Sequence, residues 1–214
     1  LRDVIRRNML TVQELMKEIE TKGGLTPAKK IRETAERFPE MIAMREKNFG
    51  KWEEIKYSQY WEQVQWVGCA LNYFGVDTQD CVAIHSENRP EWFISDVGIQ
   101  AIGAISVGLY PTNPASEVEY LIGHSESKIL FAEDQEQVDK ALEVIGELPG
   151  LKKIIYFEPR GITNYDNPLL MTWDEFLDIG KEEFEKNPNF VGEKLDLIDP
   201  DDIAIMVYTS GTTG

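Results

Sequence analysis

The residues best suited to chemistry stand at the end of the sequence, where Tyr208-Thr209-Ser210-Gly211-Thr212-Thr213-Gly214 follows directly on the apolar run Ile203-Ala204-Ile205-Met206-Val207. Glycines let a backbone approach an anion closely, and successive N–H groups can form an anion-binding nest. The hydroxyls of Thr209, Ser210, Thr212 and Thr213 add donors that can turn toward phosphate oxygens. A polyphosphate is the ligand this composition suits. Serine, threonine and glycine are also ordinary linker residues, so composition alone fits a plain surface loop equally well. Neither GxxxxGK followed by Ser or Thr nor GxGxxG occurs in the chain, which sets aside the Walker-type phosphate loop and the dinucleotide fingerprint.

A ligand-binding loop of this kind belongs beyond the carboxyl end of a strand in a parallel α/β sheet, and the preceding sequence has the rhythm to build one. Ala43 to Ile55 reads as strand, turn, strand, with Asn48-Phe49-Gly50-Lys51 as the link. A helix follows from about Ser58 as N-cap to Gly75, with Trp61, Val64, Gly68, Leu71 and Phe74 near one face. Strand Cys81–His85, helix Pro90–Ala101 and strand Ile105–Leu109 then make a β-α-β unit. Ser116 and Glu119 form a capping box for a helix carrying Val118, Leu121 and Ile122. Next come a strand at Lys128–Ala132, a helix over about Gln135–Gly146 and a strand at Lys153–Phe157. Glu158 to Met171 reads as loop, Thr172 into Lys186 as helix, the stretch to Pro200 as loop again, and Ile203–Val207 as a buried strand. The expected fold class is α/β: a mostly parallel sheet covered by helices on both faces, with an N-terminal β-hairpin.

Composition narrows the partners. The 214 residues are 42% hydrophobic, enough for a real core, and carry a formal net charge of −16. Such a surface repels phosphate backbones and anionic headgroups, so nucleic acid is not the expected partner. No apolar run approaches the roughly 18 to 20 residues that a membrane span needs, and Leu1 to Leu10, with Arg2, Arg6 and Arg7, lacks the apolar stretch of a signal peptide. The expectation is a cytoplasmic protein, with peripheral membrane association left open. Cys69 and Cys81 sit in apolar stretches without CxxC spacing and read as free buried thiols. His85 and His124 lack evident partners and read as structural or surface residues. Glu182, Glu183 and Glu185 read as a solvated helix face rather than a metal site. The tryptophans read as core.

Beyond what composition and spacing carry, Tyr208 to Gly214 resembles the signature loop of the adenylate-forming superfamily. The likeness extends upstream through Ser86-Glu-Asn-Arg-Pro-Glu-Trp92, Gly103 to Thr112, Glu119-Tyr-Leu-Ile122 and Lys128-Ile-Leu-Phe131. These blocks are similar to those of long-chain fatty acyl-CoA synthetases, particularly the bubblegum type, and the likeness covers roughly residues 27 to 214. The resemblance implies an AMP-forming acid–thiol ligase using ATP, Mg2+ and coenzyme A as well as a fatty acid. In it Thr209, Ser210, Gly211, Thr212, Thr213 and Gly214 would hold the β- and γ-phosphates. In the family the loop continues through a proline and a lysine, and later motifs bind adenine, ribose and magnesium. Residues 1–214 are therefore expected to be an incomplete N-terminal part of the AMP-binding domain, ending within the phosphate loop and inactive without the rest of the polypeptide. Ligation of a short, medium or aromatic carboxylate, and a non-catalytic scaffold with the same fold, remain as alternatives.

Overall fold

Short strands that are apolar at every position cannot face water on either side, and this requirement organises the chain. In the computed structural model, which describes residue 17 and residues 25–209, strand β3 (Cys81–His85) is buried at all five positions. It lies within a six-stranded sheet of order β7-β6-β5-β3-β4-β8. The other strands are β4 (Ile105–Leu109), β5 (Ile129–Ala132), β6 (Lys153–Tyr156), β7 (Leu170–Thr172) and β8 (Ile205–Val207), and every pairing in the sheet is parallel. A separate antiparallel hairpin, β1 (Ile42–Asn48) with β2 (Lys51–Lys56), precedes it. Phe49 and Gly50 at its tip both have positive φ, 45° and 82°, the pattern of a type I′ turn.

Helices cover both faces. Val82, Ile84, Ile129, Phe131 and Ile155 point into a core closed by α2 (Tyr57–Tyr73), α3 (Pro90–Ala101), α6 (Trp173–Lys186) and α7 (Phe190–Leu197). A further helix, α1 (Pro27–Arg37), packs on α2 and α3. The alternate residues Cys81, Ala83, Val107, Leu130 and Ile154 face a second core closed by α4 (Ala115–Ser125) and α5 (Gln135–Glu143). In the first core the rings of Phe131, Phe157, Trp173 and Phe176 meet with centroids 5.2–6.0 Å apart, within the range of favourable aromatic pairing.

Several boundaries differ from the sequence reading. The N-cap of α2 is Lys56, in extended conformation, and its N–H donates to the Gln59 side chain at 2.9 Å, so Ser58 lies inside the first turn. The box expected at Ser116 and Glu119 does not form. Pro114, whose φ of −71° already suits an extended cap, takes that place and puts Ser116 in the first turn of α4. Helix α5 ends at Glu143 and gives way to a 3-10 turn at Ile145–Glu147. The stretches expected as loops contain β7 at one sheet edge and α7, which buries Val191 and Leu195. Strand β8 is an edge strand among the described residues, with Ile205 and Val207 46% and 65% exposed, rather than buried.

Helix α2 approaches its neighbours closely because they present glycine. A Cβ on Gly98 of α3 would lie 2.5 Å from Val67 Cγ1, and one on Gly180 of α6 would collide with the Trp66 carbonyl oxygen. Gly180→Ala is therefore expected to cost about 1–3 kcal/mol. Gly146→Ala, whose added methyl meets nothing within 4 Å, should stay within about 0.5 kcal/mol of the parent. Urea unfolding of the two variants beside the parent checks this, and equal midpoints would refute the packing argument.

Candidate functional site

Helix α3 leaves the end of β3 toward one face of the sheet, whereas α4 leaves the end of the adjacent β4 toward the other. Oppositely directed connections open a crevice beyond the carboxyl ends of neighbouring strands, where ligands bind in open α/β sheets. Two cavities occupy this end. One of about 340 Å³ is bounded by Ser86, Asn88, Trp92, Tyr110, Ile205 and Val207, and one of about 420 Å³ by Tyr110, Asn113, Glu117, Tyr120, Tyr208 and Thr209.

Strand β8 places Thr209 at the rim of the larger cavity. Of the six residues assigned to phosphate binding, Thr209 is the one the structure describes. Ser210, Gly211, Thr212, Thr213 and Gly214 lie outside the described residues. Sequence reasoning missed the groups that surround Thr209. Tyr120 and His124, one turn apart on α4, stack at 5.5 Å, and His124 Nδ1 lies 2.7 Å from the Tyr208 hydroxyl. Burial, with Cys81 and Tyr120 nearby, raises the Tyr208 phenol above its ordinary pKa, so it remains a hydroxyl at neutral pH. Asn113 donates its amide to Glu117, while its carbonyl oxygen is buried without a hydrogen-bond partner. The i, i+4 spacing of Tyr120 and His124 is visible in sequence, but nothing there pairs it with Tyr208.

Neither Lys nor Arg lines either cavity among the described residues, whereas Glu87 and Glu117 do. No group of three His, Cys, Asp or Glu side chains among the described residues could hold a metal ion. The described part of the site thus supplies hydrogen-bonding, aromatic and acidic groups. The Asn88–Trp92 turn is occupied internally: Arg89 makes a two-pronged ion pair with Glu91 at 2.7 and 3.1 Å and lies over the Phe157 ring at 5.5 Å. Cys69 and Cys81 are free and buried, and burial pushes the Cys69 thiol up to about 12. Neither behaves as a nucleophile at neutral pH.

The chain matches the family model described as "AMP-binding enzyme" over residues 31–214. It is 33% identical to long-chain-fatty-acid–CoA ligase ACSBG2 of Xenopus laevis over 188 residues, covering 86% of this chain and 24% of that protein. The human ACSBG2 is 33% identical over 185 residues, covering 86% of this chain and 27% of that protein. The chain thus spans about a quarter of the length of the curated relatives it matches. Among solved structures it superimposes on the anthranilate CoA ligase AuaEII, crystallised with anthranoyl-AMP, with a TM-score of 0.67 at 22% identity, covering 87% of this chain and 32% of that one. That likeness is one of fold.

His85 ends β3 beneath this crevice and is fully buried. Neither ring nitrogen makes a hydrogen bond of good geometry, although the peptide groups of Tyr110 and Pro111 lie close enough to act on the ring. Burial first, and then the Lys140 ammonium, lower its pKa from 6.5 to about 4. The folded state therefore binds this proton less readily than the unfolded chain. Its contribution is complete above about pH 6.5 and is lost as pH falls toward and through 4. A shift of that size corresponds to about 3 kcal/mol. Urea unfolding between pH 7 and pH 4 should show this loss in the parent and a flatter profile in His85→Leu, and parallel profiles would refute the assignment.

Proposed function

The chain belongs to the AMP-binding enzyme family, and from that premise we propose that it is part of a long-chain fatty acid–CoA ligase. The observation that carries the reading is the end of β8, where Tyr208 and Thr209, the first residues of the hydroxyl- and glycine-rich stretch, stand at the ligand-binding end of the sheet beside two cavities. The fatty-acid class is supported by the names of the relatives at 33% identity.

In this reading a carboxylate oxygen attacks the α-phosphorus of ATP. The new P–O bond gives an acyl-adenylate as the bond to the β-phosphate oxygen breaks and pyrophosphate departs. The thiol of coenzyme A then attacks the acyl carbon, losing its proton, and AMP leaves as the thioester forms. The difficulty of the first step is charge on the departing pyrophosphate, which oriented donors relieve. Thr209 and Ser210 to Gly214 are assigned to hold the β- and γ-phosphates through hydroxyl and backbone N–H groups. Magnesium would accompany the nucleotide and supply charge neutralisation. The wall presented by the described residues is neutral to acidic, so it leaves the phosphate charge to be met by groups from further along the polypeptide. No helix among the described residues is long and apolar enough to cross a membrane. We assign the reaction to the cytoplasm.

Residues 1–214 alone should give no acyl-adenylate and no ATP binding in the micromolar range by calorimetry; micromolar affinity would contradict the assignment of charge neutralisation to later residues. The decisive assay is carboxylate-dependent ATP–pyrophosphate exchange by the polypeptide encoded through and past Gly214, with acids from acetate to long-chain and aromatic ones. The expected maximum is at long chains. A maximum elsewhere keeps the chemistry and moves the substrate, and no exchange with any acid favours a non-catalytic scaffold.

A further inference from the structure

The ladder between β3 and β4 ends at the pair His85–Leu109, and the chain then runs through Tyr110-Pro111-Thr112-Asn113-Pro114 before α4 begins at Ala115. Two of these five residues are prolines, which fix φ and carry no N–H. The segment is stiff but poor in donors, so it is anchored chiefly through its carbonyls. Within it the Asn113 N–H donates to the Tyr110 carbonyl at 2.9 Å, closing a turn. Tyr110 borders both cavities and Asn113 borders the larger one. Whatever holds this bracket holds one wall of the crevice.

The hold comes from α5, which borders neither cavity. Lys140 donates from its ammonium to the Pro111 carbonyl at 2.9 Å, and Gln137, only 4% exposed, adds a longer amide contact to the same oxygen at 3.4 Å. A lysine serving the helix surface alone would do less. Lys140 pairs with Glu136 one turn earlier at 2.6 Å, and an i, i+4 pair of that kind forms equally well with the ammonium in water. Here the Lys140 side chain is 18% exposed, so it has given up solvent and rotamer freedom to reach the β4–α4 connection. Gln137 is tied as well, because its side-chain oxygen accepts from the Asp134 N–H at 3.3 Å in the capping box that starts α5. The other wall is referred to the same unit. Glu133, between β5 and α5, accepts from the Glu87 N–H at 2.6 Å and from the Ser86 hydroxyl at 3.3 Å, and Ser86 and Glu87 border the smaller cavity. The connections that leave β3 and β4 in opposite directions are thus both tied to β5 and α5.

We propose that Lys140 is a positioning residue for the ligand of the crevice: through the Pro111 carbonyl it sets where Tyr110 and Asn113 stand. The proposal rests on the ligase reading, in which that ligand is an acyl-adenylate. Lys140 acts from behind the wall and does not touch it.

The test uses the polypeptide extended past Gly214 and a stable mimic of the intermediate, a long-chain acyl sulfamoyl-adenosine. Lys140→Met removes the ammonium and keeps the reach of the side chain, whereas Lys140→Arg keeps a donor. Lys153→Met is the matched control, since Lys153 also donates to a proline carbonyl, that of Pro168 at 2.6 Å, but at the amino end of β6. By calorimetry Lys140→Met should bind the mimic about threefold to tenfold more weakly. Lys140→Arg should restore most of the affinity, and Lys153→Met should bind like the parent. In ATP–pyrophosphate exchange the loss should fall on KM for ATP with kcat little changed, because the wall meets the ligand alike in ground state and transition state. A loss confined to kcat would contradict this. Hydrogen exchange at the Asn113 amide should quicken in Lys140→Met and not in Lys153→Met, which reports the loosened turn without any ligand; unchanged exchange removes the brace. Equal affinity in Lys140→Met and the parent, or an equal loss in Lys153→Met, overturns the proposal while the ligase reading stands. A parent that binds no mimic sinks the ligase reading and this proposal with it.

Discussion

The structure depends on one constraint: strand β3 is apolar and buried at every position, so both faces of the sheet must be covered. Parallel neighbours can be joined only by crossovers, and crossovers of a single hand reach opposite faces when the chain moves to opposite sides of its starting strand. The chain goes from β3 to β4 on one side and then returns past β3 to β5 on the other. Helix α3 therefore lies on one face and α4 on the other, and the gap between their entry points is the crevice. The site is a consequence of covering the core, before any residue in it is considered.

The same covering explains where polar groups are left under tension. His85 points into the second core at the strand end, and Asp96 of α3 is held against the first, where its amide partner Gln100 donates at 3.0 Å. Burial depresses one pKa and raises the other. Their linkage has opposite signs: His85 favours the folded state above its unfolded pKa, whereas Asp96 favours it as acid neutralises the carboxyl. Ser95 and Gln100 each also keep a buried side-chain oxygen without a hydrogen-bond partner. Satisfied polar networks rigidify a core, and unsatisfied ones are costly.

Local signals were legible where periodicity and end residues agreed. Cys81–His85, Pro90–Ala101 and Ile105–Leu109 could be delimited from sequence because each combines an apolar run or helical period with a clear stop. The hairpin was visible through its Asn-Phe-Gly link. Helix α7 was hidden because its eight residues bury only Val191 and Leu195, and its place is fixed by distant partners, Lys194 with Asp77 and Arg32 with Asp196. Strand β7 is too short to carry a period. The composition of Ile203–Val207 suggested burial, but exposure depends on what stands beside a strand, and among the described residues β8 has β4 on one side only. Thr209, singled out from loop chemistry, stands at the rim of a cavity. Tyr110, Asn113 and Tyr120 were not, because they reach the site only through the crossing of β4 and α4.

Charge divides the labour within the site. A surface with net charge −16 and cavity walls bearing Glu87 and Glu117 cannot attract a polyphosphate by its overall field. In the proposed ligase reading, the phosphate charge is therefore left to magnesium and to groups further along the polypeptide, while the described residues supply hydrogen-bonding and aromatic contacts.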